Sequence, residues 1–204
     1  MIDETSLFLI DEYIDELEFL ANIYQRDFKK FCIEIDALCN KNLKKIKPKA
    51  LESDGELVFK NCCVRSLFED KKYIYLSGII QNIISLWENQ MNDFYLLFKC
   101  KDYNELKDIL EKDSYYKLGK TENFNLYEMR HVGNYLKHGQ FGAAEKELIS
   151  INSKYYNNNG QIGELRGDYY RSKHLNISGT DIEYFTGLIL KFWKDVKKSI
   201  IQKG

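Results

Sequence analysis

The segment Glu128-Met129-Arg130-His131-Val132-Gly133-Asn134-Tyr135-Leu136-Lys137-His138-Gly139 holds two of the three histidines in a chain of 204 residues. On a helix, at about 100° per residue, Lys137, Arg130, Asn134, His138 and His131 fall within an arc of roughly 120°, with Met129, Val132 and Leu136 on the opposite side. One side would hold the helix in a core. The other gathers two permanent cations, an amide and two imidazoles. Arg and Lys can offset the charge of a pentacovalent phosphorus transition state, and imidazole moves protons near neutral pH. On RNA, His138 would take the proton of a ribose 2′-hydroxyl while Arg130 steadies the developing charge, leaving a 2′,3′-cyclic phosphate with no metal. The same residue types also suit an ordinary helix end, where Lys137 and His138 in the last turn complement the dipole.

Other chemistry-bearing residues are fewer. Glu88, beside Trp87, is either a solvated carboxylate or the partner of Arg130 or Lys137, since a buried carboxylate needs a cation. The run from Arg166 to His174 is basic and aromatic, a mixture that stacks bases and contacts phosphate or simply forms a solvated loop; Arg171 is its candidate substrate contact. No glycine pattern of a phosphate-cradling loop and no H-E-x-x-H or G-x-S-x-G occurs, so neither nucleotide-triphosphate chemistry, a helical zinc site nor a serine nucleophile is expected. No metal and no cofactor is assigned.

The elements that must position these residues read as helices. Tract 3–42 carries Leu9, Tyr13, Leu17, Leu20, Tyr24, Phe28, Phe31, Ile35 and Leu38 at three- and four-residue steps. It ends in the cluster Lys41, Lys44, Lys45, Lys47 and Lys49 around Pro48, before a connection at Ser53-Asp54-Gly55. A second tract runs from about Glu56 to Lys99, with a break expected at Asp70-Lys71-Lys72. Its later half places Ile80, Ile84, Trp87, Met91, Phe94 and Phe98 in one stripe. A short helix over 102–111 and a loop over 114–123 follow, then the motif helix from Asn123 or Asn125 to His138, with Gly139 just past its end. A helix from Ala143 to about Ile151, a turn-rich stretch over 157–175 and a last helix capped by Thr180 or Asp181 complete the chain; the last carries Ile182, Phe185, Ile189, Phe192, Val196 and Ile200.

Composition agrees with an all-α fold in a single domain over residues 1–204. There is one Pro, and charged residues make up 30% against 44% hydrophobic, which excludes disordered and collagen-like classes. A net charge of -1 gives no overall field for nucleic acid, so any such surface is local. The five Cys lack zinc-ribbon or disulfide-framework spacing and read as reduced thiols used mostly in packing. With no membrane span and no leader, a cytoplasmic location is expected.

At the motif helix a resemblance emerges. Arg130-x-x-x-Asn134-x-x-Lys137-His138-Gly139 resembles the motif helix of the higher eukaryotes and prokaryotes nucleotide-binding (HEPN) superfamily. It is similar also to a bacterial HEPN-like group in which a Trp-Glu helix precedes an Asn-x-x-Lys-His-Gly helix and a Phe-Trp helix closes the domain; Trp87-Glu88 and Phe192-Trp193 stand in those places. The resemblance covers residues 75–197, leaving tract 1–50 as an N-terminal helical extension. It implies a helical bundle forming a homodimer with two motif helices facing one cleft. In active members it implies a metal-independent endoribonuclease of toxin, abortive-infection or phage-defence systems. Carried over, Arg130 would stabilise phosphate, His138 would serve as acid and base, and Asn134 would orient them, with His131 and Lys137 as further substrate contacts. The alternative is a non-catalytic module binding a protein partner, a cognate antitoxin, RNA or a nucleotide through the same face.

Overall fold

The computed structural model describes residues 4–47, 53–98, 120–139, 142–156 and 175–201. These form helices α1 (Glu4–Leu43), α2 (Asp54–Phe98), α3 (Lys120–His138), α4 (Ala143–Ser150) and α5 (Thr180–Ile201). The only strand-like feature among them is an isolated bridge between Tyr156 and Leu175, so the fold is all-α. Residues 99–119 and 157–174 lie outside the described residues, and with them the expected 102–111 helix and Arg171.

The apolar stripes make the core. Ile80, Ile84, Trp87, Met91 and Phe94 of α2 are buried, as are Ile182, Phe185, Ile189, Phe192, Val196 and Ile200 of α5. Each such side chain contributes about 1.5–3 kcal/mol relative to exposure. Trp193 sits where the helices meet: its ring lies 4.9 Å from Tyr13 of α1 and 5.2 Å from Phe94 of α2. Its Nε1–H donates to Gln90 Oε1 at 2.9 Å, and the Gln90 amide donates to Glu16 Oε2 at 3.1 Å and the Tyr13 carbonyl at 3.5 Å. The acidic N-terminal tract is engaged by α5, for Asp11 pairs with Lys197, Glu18 with Lys194 at 2.7 Å, and Glu183 accepts from Gln25.

Beyond the start of α5, α1 and α2 continue together as an antiparallel two-helix arm. A second small core, Ile35, Cys39 and Phe68 backed by Phe31, Leu43 and Val64, holds it. Leu38, expected inside, is 44% exposed, because Cys39 takes the inward position one residue on. Of the thiols, Cys39 is buried but Cys62 is exposed, so packing does not account for all of them.

Three features of the helices differ from the sequence reading. Helix α2 runs unbroken through Asp70-Lys71-Lys72, where both lysines are accommodated. Lys72 pairs with Asp36 at 2.6 Å and Glu69 at 3.0 Å, Lys71 lies over the Phe68 ring at 4.9 Å, and Asp70 is buried. Its start is also earlier than Glu56: Ser53 and Glu56 form a reciprocal capping box, Ser53 N–H donating to Glu56 Oε2 at 3.1 Å and Glu56 N–H to Ser53 Oγ at 3.3 Å. Helix α3 likewise begins at Lys120, so 120–123 are helix and not loop. At the start of α5, Asp181 reaches back to accept from the Ser178 N–H at 2.6 Å.

Candidate functional site

Helix α3 enters the core through Leu126, Met129, Val132 and Tyr135, all buried. Gly133 is what lets it come close to α2. A Cβ there would stand 2.6 Å from Ile84 Cγ2, inside van der Waals contact, so only glycine permits this approach. One turn further along both helices, Lys137 Nζ meets Glu88 Oε2 at 2.5 Å, each side chain about three-quarters buried. The helix then ends on Gly139 at φ +75°, whose N–H donates to the Tyr135 carbonyl at 2.8 Å. Glycine adopts this left-handed conformation without the cost a side chain adds.

The predicted face is therefore divided in three. Lys137 is spent on Glu88, so its charge is largely neutralised. Arg130 and His138 are exposed, with Asn134 half-buried between them, and no ion pair joins any of the three to a carboxylate among the described residues. His131 turns toward α4. At 1.5 Å rise per residue, Arg130 and His138 stand about 12 Å apart along the axis. One copy of the chain thus presents them as a row rather than as a pair converging on one phosphorus.

Around His131 the structure assembles residues that the sequence reading did not single out. The Tyr127 ring meets the His131 ring edgewise, centroids 4.4 Å apart, and the Tyr127 hydroxyl donates to Glu147 Oε2 of α4 at 2.9 Å. His131 Nδ1 is buried and finds no hydrogen-bond partner among the described residues. Burial holds the imidazole below its usual range and neighbouring Arg130 pushes the same way, while Glu147 opposes both. Burial, then the Glu147 hydrogen bond, push the Tyr127 phenol up, so both rings are neutral at pH 7. Tyr127 precedes Arg130 by three residues and His131 by four, so a helical wheel begun one residue earlier would have included it.

Behind this face lies a polar layer. Glu128, buried, accepts from Ser153 Oγ at 2.6 Å, and the Tyr155 hydroxyl donates to Asp181 Oδ1 at 3.1 Å. These bonds fix the chain after α4 against α3 and α5. Among the described residues no group of three His, Cys, Asp or Glu side chains could hold a metal ion, and no helix is long and apolar enough to cross a membrane. Comparison with known proteins returns no match to a family model, a curated protein or a solved structure.

Proposed function

We propose that this protein binds RNA along the Arg130-Asn134-His138 row of α3 and, as a homodimer, cleaves it without a metal ion, in keeping with the HEPN resemblance of its motif helix. The observation that carries the reading is that Arg130 and His138 face solvent on one helix edge with no acidic partner among the described residues, while the neighbouring Lys137 is neutralised. A free guanidinium offers phosphate two parallel hydrogen bonds. Because the two positions lie about 12 Å apart along the axis in one copy, the cleavage proposed here pairs Arg130 of one subunit with His138 of another. His138 then takes the 2′-hydroxyl proton and the 2′ oxygen bonds to phosphorus. The bond to the 5′ oxygen breaks, and that oxygen leaves with a proton from water. A cognate antitoxin or other protein covering this edge, and a cytoplasmic role in phage defence, belong to the same proposal.

The separation within one copy and the neutralised Lys137 also favour a second reading, in which the row binds RNA or a protein partner without cutting. Cleavage of a mixed RNA pool in chelator by wild-type protein, Arg130→Ala and His138→Ala, with subunit mass in solution, separates the two. The ribonuclease reading expects a dimer and cyclic-phosphate ends. It also expects a loss of about 10²–10⁴-fold in His138→Ala, the usual contribution of a positioned proton-transfer group. A folded dimer that binds RNA but leaves it intact establishes the binding module instead.

A further inference from the structure

Tyr127 is 43% exposed, yet its side chain is held at two points, the hydroxyl by Glu147 and the ring by its edgewise contact with His131. An exposed tyrosine is ordinarily free to rotate, and one whose side chain is fixed while much of it stays open to solvent is a preorganised surface. On the wheel, Tyr127, Arg130, His131, Asn134 and His138 lie within about 100° of arc. The row therefore begins, one turn before Arg130, with an aromatic ring. From Tyr127 to His138 it runs about 16 Å along the axis, a length that suits a few nucleotides of extended strand.

We propose that Tyr127 is a stacking platform for one base of single-stranded RNA, whose adjoining phosphate is held by Arg130. This rests on the RNA reading above and names the form of the substrate and a contact that the motif helix alone does not supply. Three properties of the site favour a base over a phosphate at this position. Glu147, at the hydroxyl end of the ring, repels phosphate. The neutral Tyr127 and His131 rings add no charge to attract one, and a phenol ring offers a π-face to any base, whatever its sequence. A paired duplex buries its base faces in its own stack, so an unpaired base is the one that fits.

The test measures binding of 2′-O-methyl pentaadenylate, which the proposed chemistry does not cut, and of an abasic strand of the same length and charge. Wild-type protein, Tyr127→Leu, Tyr127→Phe and Arg130→Ala are compared, with circular dichroism checking the fold. Stacking is worth about 1–3 kcal/mol per base, so the wild type should prefer the base-bearing strand by about 5- to 150-fold. Tyr127→Leu should erase that preference, Tyr127→Phe should retain most of it, and Arg130→Ala should weaken both strands alike. Equal binding of the two strands by wild-type protein, or an equal loss on both in Tyr127→Leu, overturns the platform and leaves the RNA reading standing. Binding of neither strand overturns both.

Discussion

His131 is the residue in which structure and electrostatics are most tightly joined. Its Nδ1 is enclosed without a partner among the described residues, so protonating the ring would place an N–H where none of them accepts it. Burial, and after it Arg130, lower its pKa in the folded state, against the opposing pull of Glu147. The sign of the linkage follows. Below the ordinary imidazole value of about 6.5 the unfolded chain takes up a proton that the folded chain resists, so this group's contribution is present above that pH and is lost on acidification. Thermal unfolding of wild-type protein and His131→Asn between pH 7.5 and pH 5 should therefore show a shallower loss of Tm in the variant, whatever its absolute stability. Equal slopes would mean that His131 titrates as freely folded as unfolded.

Helices α2 and α3 are joined by two contacts of different kinds, one apolar and one ionic. Gly133 against Ile84 sets how closely the axes approach, and Glu88 with Lys137 occupies the next turn. With side chains only 26% and 24% exposed, the pair is neither a surface bridge nor fully desolvated, and a double-mutant cycle of Glu88→Gln with Lys137→Met should give a coupling of about 1–2 kcal/mol. Lys137→Met should also change RNA affinity by less than about threefold, since that charge is already matched; a larger loss would return Lys137 to the substrate contacts. The helices themselves are legible from the sequence because their stripes are long and regular, and a cation for Glu88 is expected from Arg130 or Lys137, of which the structure supplies Lys137. What escaped was tertiary. The Asp70-Lys71-Lys72 triplet reads as a break until Asp36, Glu69 and Phe68 are seen to receive the lysines. Glu147 belongs to a different helix from Tyr127, and no spacing rule announces their meeting. The Ser53-x-x-Glu56 cap, by contrast, is a readable signal in the sequence, overlapped by the turn-forming Ser53-Asp54-Gly55.

At the scale of the whole molecule the chain has two unequal parts, a bundle centred on Trp193 and an arm whose core is three buried residues and a few partly buried ones. The arm also leaves Ile33 70% and Phe59 60% exposed. Little apolar burial opposes local opening there, so amides of 31–43 and 57–68 should exchange with solvent about tenfold or more faster than those of 79–91 and 182–196. Uniform protection along α1 and α2 would show instead that the arm and the bundle open together.

The Gln90 amide gives this bundle a means of rejecting wrong neighbours. It accepts from the Trp193 indole of α5 and donates to Glu16 and the Tyr13 carbonyl of α1. Apolar stripes are forgiving, for leucine- and isoleucine-like surfaces slide by a turn and still find grease to lie against. If α5 slipped by one turn on α2, the indole N–H and the Gln90 side-chain oxygen would lose each other as partners, each at about 1–3 kcal/mol, while the bonds of Gln90 to α1 stayed. Gln90 thus acts less as glue than as a proofreading mark, raising the free energy of every misaligned assembly while adding modestly to the correct one.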